Sequence, residues 1–172
     1  MVQRLSVSRY ESPLGDIMLV SNGMNLVGAC FKGQLNESKV LQGDLVQGDE
    51  HAICAAKSWL DLYFDGKNPN LKDVSLLVQG TEYQMQVWKA VLSIGYGKTS
   101  NYLDVGKEVS QANGKGMHLR AVGSAIGRNP LIIFVPCHRV VGKNGSLAGY
   151  SAGLDIKLSL LQLENPDFKI LA

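Results

Sequence analysis

The sequence is poor in the features that would place a chain in a membrane, outside the cell or around a metal. No apolar run approaches the roughly 18 residues that a membrane-crossing helix needs. The opening stretch MVQRLSVSRYESPLG lacks the apolar core of a secretory signal, so a cytoplasmic protein that does not engage membranes is expected. Only three cysteines occur, Cys30, Cys54 and Cys137, an odd number without C-x-x-C spacing. That argues against a disulfide framework and against a structural zinc site, and no metal is expected. Repeats and low-complexity segments are missing too. Charge of one sign is scarce, the net being +2. Its distribution says more. Residues 1–79 carry seven Lys/Arg against nine Asp/Glu, and residues 80–172 carry ten against six. An anionic partner would therefore favour the C-terminal half, although a solvated surface accounts for the asymmetry as well.

With 172 residues, 45% of them hydrophobic, the chain can bury one good core or two small ones. Its first 30 residues run in short apolar bursts, LSVSRY, DIMLVSN and LVGACF, separated by turn signals at Ser12-Pro13-Leu14-Gly15 and Ser21-Asn22-Gly23. This predicts two or three antiparallel strands with a hairpin turn at Asn22-Gly23. Residues 34–50 have no clear period and read as loop or weak helix. His51–Phe64 carries Ile53, Ala56, Trp59, Leu60 and Phe64 near a 3.6 period, which predicts a helix ended by Asp65-Gly66. Residues 71–78 read as a further strand. Cys30 and Cys54 sit in apolar surroundings and are expected to be packed thiols.

From Thr81 the character changes. Thr81 can cap a helix whose buried stripe is Val87, Trp88, Val91 and Leu92. Thr99-Ser100 can cap the next, over residues 102–110. A turn at Ala112-Asn113-Gly114-Lys115-Gly116 leads to a third helix over residues 117–126. Helix, glycine-bearing turn and helix is the helix-turn-helix plan. Ala121, Val122, Ser124 and Ala125 give the last helix a small-residue face that can approach a groove or a neighbouring helix.

The run Ile133-Phe134-Val135-Pro136-Cys137-His138-Arg139-Val140-Val141 is where chemistry is most legible. Its apolar and β-branched flanks read as buried strand, broken at Pro136, which has no N–H for a ladder. In a continuous strand Cys137 and His138 would point to opposite faces. A turn at Pro136 lets them converge or connect through a water. A thiol attacks as thiolate, and His138 is the neighbour able to take its proton. The same cysteine between valines also reads as core packing.

The surrounding residues decide between these readings. Upstream stands Arg120-Ala121-Val122-Gly123-Ser124-Ala125-Ile126-Gly127-Arg128-Asn129-Pro130; downstream stand Gly149-Tyr150-Ser151-Ala152-Gly153-Leu154, then Lys157, Leu160, Leu161 and Glu164. In this order, over residues 81–164, the set resembles the O6-alkylguanine-DNA alkyltransferases (methylated-DNA–protein-cysteine methyltransferases). The resemblance implies an α/β (α+β) chain divided at about residue 79. An N-terminal ribonuclease-H-like sheet-and-helix scaffold would occupy residues 1–79. A C-terminal winged-helix-like DNA-binding and alkyl-transfer domain would occupy residues 80–172.

It also implies roles. Cys137 would accept an alkyl group from O6 of guanine, with O4 of thymine as a further candidate donor, by in-line displacement. His138 would take the thiol proton through water, with Glu164 orienting His138. Tyr102 would help rotate the phosphate and protonate the leaving base, and Asn129 would brace the turn about the cysteine. A buried target must leave the duplex. Arg120 would then fill its place, with Ala121, Gly123 and Ser124 on the helix against the minor groove. The carbonyls of Cys137 and Val140 would accept from the guanine amine, and Tyr150, Ser151 and Gly153 would form the loop over the base. Arg139 is read as structural, pairing with an acid or with carbonyls. No cofactor is implied, and the partner would be double-stranded DNA bearing O6-alkylguanine, met by a monomer.

Two departures from the family pattern stand out: a longer turn around residues 113–116, and Ala152 where glycine is usual. Two rival functions are weighed. Alkyltransferase-like proteins bind lesions without reacting, but carry tryptophan in place of the cysteine present here. A cysteine hydrolase would need an oxyanion hole and would leave the helix-turn-helix without purpose.

Overall fold

A computed structural model describes residues 3–170. The chain groups into two compact units. One runs to Gln79 and includes Pro130–Phe134; the other comprises Gly80–Asn129 and the chain from Val135 onward.

The first unit is a mixed sheet with a helix. Strands β1 (Arg4–Ser12), β2 (Gly15–Ser21) and β3 (Leu26–Phe31) pair antiparallel, as the apolar bursts predict. The Asn22 side chain closes the second hairpin, accepting from the N–H groups of Met24 and Asn25 at 3.1 and 2.8 Å. Residues 34–50 hold more structure than expected: a short helix α1 (Glu37–Val40) and a strand β4 (Asp44–Gln47) parallel to β1. The order is β3-β2-β1-β4. With only Leu45 and Val46 half-buried on a four-residue edge strand, β4 is too short to show a period.

Helix α2 (His51–Phe64) has the expected bounds, but Tyr63 rather than Phe64 completes its buried stripe. Trp59 stacks on Tyr63 and meets Phe134, with ring centroids 5.4 and 4.9 Å apart. Such ring packing contributes beyond the area it buries. Residues 71–78 are not a strand. Asn70 accepts from the Lys72 N–H and opens a 3-10 turn, Leu71–Asp73, and only Leu76 makes a bridge, to Leu26. Cys30 is buried, but Cys54 is exposed, its thiol donating to the Asp49 carbonyl at 3.3 Å.

The second unit is helical. Helix α3 (Glu82–Leu92) opens with a full capping box. The Gln84 N–H donates to Thr81 Oγ1 at 3.2 Å, and the Thr81 N–H to Gln84 Oε1 at 3.0 Å. Its buried stripe is Val87, Trp88, Ala90 and Val91, and Leu92 is exposed. Trp88 Nε1 donates to the Ala125 carbonyl at 2.9 Å, tying α3 to α5 (Leu119–Gly127). Helix α4 (Tyr102–Asn113) is capped by Asn101, whose Oδ1 accepts from the Asp104 N–H at 2.9 Å, and not by Thr99-Ser100. It runs beyond residue 110 and ends at Gly114, whose left-handed φ of 68° suits a residue without Cβ. Helices α4 and α5 with their glycine-bearing turn make the expected helix-turn-helix.

Two short strands, β5 (Ser100–Asn101) and β6 (Val140–Val141), pair in parallel, and α6 (Leu154–Glu164) follows. Replacing Thr81 with alanine removes one arm of the α3 capping box. The expected loss is about 1 kcal/mol of unfolding free energy, read from the midpoint of urea denaturation.

Candidate active site

The apolar run before Cys137 is not strand, although it is buried as a core strand would be. It makes two tight turns. The Phe134 N–H donates to the Ile132 carbonyl at 2.9 Å across Ile133, whose φ is 70°. Cys137 N–H donates to the Val135 carbonyl at 2.8 Å across Pro136, at φ −82° and ψ 60°. Those are the angles of an inverse γ-turn, which proline fits because its ring already fixes φ. The Val135 carbonyl also accepts from Asn129 Nδ2 at 2.8 Å. One buried amide thus pins the turn that presents the cysteine, the place the sequence expectation gave Asn129.

Cys137–Arg139 then form a single 3-10 turn. At three residues per turn, successive side chains fan out by about 120° instead of alternating. Cys137 is 3% exposed and His138 0%. Burial pushes the Cys137 thiol up to about 12, against the opposing pull of the Asn129 hydrogen bond and the Lys157 charge. The resting thiol is therefore protonated.

His138 Nε2 lies 2.6 Å from Glu164 Oε1. The same carboxylate accepts from Arg139 Nε at 2.8 Å and Nη2 at 3.0 Å, and from the Gly97 N–H at 3.2 Å. Arg139 Nη1 donates to the Ile94 carbonyl at 2.7 Å, and its guanidinium lies 5.8 Å from the Tyr96 ring centroid. Burial alone would raise the Glu164 pKa, but its hydrogen bonds and charge contacts with His138 and Arg139 hold it at about 2. Burial lowers the pKa of His138, Arg139 and Lys157 push the same way, and Glu164 opposes them. At neutral pH the consistent state is an ionised Glu164 whose charge is held by Arg139, beside a neutral His138 donating from Nε2; the charge contact of His138 with Glu164 arises once acid protonates the ring.

Lys157 is the residue whose role the sequence did not disclose. It is fully buried, with Nζ donating to the carbonyls of Val140 and Ala148 at 2.6 Å each and of Gly149 at 3.1 Å. Burial lowers its pKa to about 8, opposed by the charge Cys137 can carry. Its signal was its place in α6: Lys157, Leu160, Leu161 and Glu164 follow the spacing of one helical face, and these four are the buried ones. A lysine on such a stripe must find acceptors.

The remaining site residues gather around these groups. Pairing of Ser100 with Val140 sets Tyr102, the next residue but one, at the start of α4 beside the turn. Tyr102 Oη donates to the Ala148 carbonyl at 3.1 Å, and burial and the Cys137 charge raise its pKa. Lys157 Nζ is 6.0 and 5.9 Å from the ring centroids of Tyr102 and Tyr150. The Tyr150 hydroxyl is buried, and its pKa is raised by burial, then by the charges of Cys137 and Glu164. Ser151 is half-buried, and Gly153, at φ 100°, donates to the Tyr150 carbonyl at 3.0 Å to close the loop before α6. The Val140 carbonyl already accepts from Lys157, leaving one lone pair for a ligand.

On α5, Arg120 and Ser124 are exposed and Ala121 and Gly123 are half-buried. Val122 and Ala125, expected on the small-residue face, point into the core with Ile126. A Cβ on Gly123 or Gly127 would meet nothing within 4 Å, so the outward face is flat and open. Among the described residues no group of three or more His, Cys, Asp or Glu is placed to hold a metal ion, and no helix is long and apolar enough to cross a membrane.

Comparison with known proteins accounts for both units. Residues 6–77 match the model of the ribonuclease-like domain of 6-O-methylguanine DNA methyltransferase, and residues 82–166 match that of its DNA binding domain. A methylated-DNA–protein-cysteine methyltransferase from Methanosarcina barkeri is 41% identical over 160 residues, 92% of this chain and 96% of its own length. An inducible methyltransferase of the same name from Bacillus subtilis is 41% identical over 148 residues, covering 81% of this chain and 80% of the relative. The crystal structure of Mycobacterium tuberculosis O6-methylguanine methyltransferase superposes with a TM-score of 0.81 at 34% identity, covering 96% of this chain and 95% of that one. The M. tuberculosis protein solved in complex with DNA gives 0.79 at 34% identity, over 95% and 93% of the two chains. With both halves matched and at least four-fifths of each relative's length spanned, this chain belongs to the methylated-DNA–protein-cysteine methyltransferase family.

Proposed function

We propose that this chain repairs DNA by direct reversal, moving a methyl or larger alkyl group from O6 of guanine in double-stranded DNA irreversibly to Cys137, once per molecule. A monomer working in the cytoplasm, where thiols stay reduced, fits the three free cysteines. The first unit would serve as scaffold, and residues 80–172 would carry binding and chemistry. The observation that carries the reading is a buried thiol on a braced turn, next in sequence to a histidine hydrogen-bonded at 2.6 Å to an ionised carboxylate.

The chemistry follows from the groups present. The Cys137 S–H bond breaks and its proton passes, through water, to neutral His138, whose Nε2–H stays on Glu164. The sulfur forms a bond to the alkyl carbon as the carbon–O6 bond breaks, and the electron pair returns to the purine. Tyr102, a phenol held protonated by burial, supplies the proton the leaving base needs. The proton taken up by His138 then restores the Tyr102 phenol, so in sum one proton leaves the thiol, one reaches guanine, and the alkyl group ends on sulfur. A thioether is a poor leaving group, so the chain is spent after one transfer.

Because Cys137 is buried, the base has to be brought to it. Exposed Arg120 at the start of α5 would take the vacated place in the stack, with Ala121, Gly123 and Ser124 against the minor groove. The base would sit under Tyr150, Ser151 and Gly153, with the Val140 carbonyl accepting from its amine and Asn129 keeping the turn in place. Lys157 would hold the underside of that loop through the Ala148 and Gly149 carbonyls.

Incubation with an equimolar duplex containing O6-methylguanine should add one methyl group, mapped to Cys137 and saturating at one per chain by intact-protein mass. Cys137→Ser should bind the duplex and gain no mass. Binding by the unaltered protein without a mass change would mean a lesion sensor instead. Replacing Lys157 with methionine leaves three carbonyls without their donor and should cost on the order of 3 kcal/mol in urea unfolding. Glu164, depressed to about 2 in the fold, contributes stability that is present above its ordinary pKa of 4.5. That contribution, roughly 3 kcal/mol, should fade as pH falls from about 4.5 toward 2. Thermal midpoints of the unaltered protein and of Glu164→Gln across that range should therefore converge.

A further inference from the structure

Arg139 does more than fill a structural slot. Its fork closes on both oxygens of Glu164, through Nε at 2.8 Å and Nη2 at 3.0 Å, while Nη1 is fixed on the Ile94 carbonyl at 2.7 Å. The arginine side chain is 11% exposed and the carboxylate 1%. Water therefore screens neither partner much, and the guanidinium is fixed at both ends of its fork. The imidazole of His138 shares one of the same two oxygens.

We propose that Arg139 is a positioning residue that divides the Glu164 carboxylate, so that His138 rests neutral beside Cys137 and is able to take the thiol proton. This rests on the alkyl-transfer reading above. A histidine facing a bare buried carboxylate at 2.6 Å would be held as imidazolium, with both ring nitrogens already protonated and none left to accept. With Arg139 in place the negative charge is compensated before His138 meets it. The carboxylate then orients the ring, through Nε2–H, without charging it.

Other groups around the ring act in the same sense or stay neutral. Lys157, on α6 with Glu164, adds positive charge that also disfavours the imidazolium. Cys137 is protonated at rest, and Tyr96 after α3, Tyr102 on α4 and Tyr150 in the loop before α6 are phenols whose pKa values lie above the usual one. Glu164 is thus the one resting anion at the ring among the groups named here. Arg139 is the cation bonded to it, which is why the arginine has leverage on a proton it never touches.

The test reads His138 directly. In protein with 15N-labelled histidine, without DNA, the His138 ring should be neutral at pH 7 with its proton on Nε2. In Arg139→Gln its titration midpoint should move up by about one pH unit or more. The acidic limb of the methyl-transfer rate should move up with it, and Arg139→Lys, which keeps the charge but not the fork, should fall between. An imidazolium at pH 7 in the unaltered protein would overturn the proposal. So would an Arg139→Gln protein whose rate falls equally at every pH with the His138 midpoint unmoved. Should that variant not fold, the protonation state in the unaltered protein decides alone. Because the titration needs no substrate, a failure of alkyl transfer in the unaltered protein would count against the function and not against this assignment.

Discussion

A buried carboxylate holds the second unit together. Glu164, at the end of α6, accepts hydrogen bonds from a histidine, an arginine and the backbone N–H of Gly97. An ion of that size out of water is costly unless every lone pair is met and a countercharge lies close. Here the four donor atoms meet both oxygens and the guanidinium supplies the charge. The requirement reaches well beyond the residue. It fixes where α6 must end and which way the 3-10 turn at Cys137–Arg139 faces. It also fixes the loop after α3, since Gly97 approaches so closely that a Cβ there would sit 3.2 Å from the Glu164 carbonyl.

The other buried charge in the unit, Lys157, solves the same problem with backbone. Its three acceptors come from β6 and from the loop that precedes α6, so one ammonium draws together segments that share no other regular structure. The two-residue pairing of β5 with β6 is too short to be stable alone. It persists because helix α4 starts at one of its ends and the Cys137 turn leads into the other. Short elements braced by satisfied charges, and not a large sheet, bring a tyrosine, a lysine and a carboxylate from distant parts of the sequence to a thiol and its neighbouring histidine.

Much of this was legible in the chain. Strands punctuated by Ser12-Pro13-Leu14-Gly15 and Asn22-Gly23, the period of α2, and Thr81 with Gln84 ahead of an apolar stripe are local signals, and local physics decides them. Pro136 correctly announced a break before the cysteine. What failed to show was non-local. Residues 133–135 look like strand because burial demands apolar side chains, yet their backbone turns twice, and composition cannot distinguish a buried strand from a buried turn. β4 exists only because β1 offers it an edge. Asn101 displaced Thr99-Ser100 as the α4 cap because pairing with partners 40 residues away keeps the backbone extended through Asn101, so the helix starts only after it. The role of Lys157 needed its three carbonyls, none of which sequence spacing reveals.

The depth of the Cys137 thiol bears on storage. With burial pushing its pKa up to about 12, the Cys137 thiol stays protonated at neutral pH. Peroxides and stray electrophiles react with the thiolate, and they must also reach a sulfur with almost no exposed surface. A molecule that can fire once is wasted if it fires on the wrong target. For the transfer proposed above, burial would act as a safety catch, sparing the thiol until an alkylated base is brought to it.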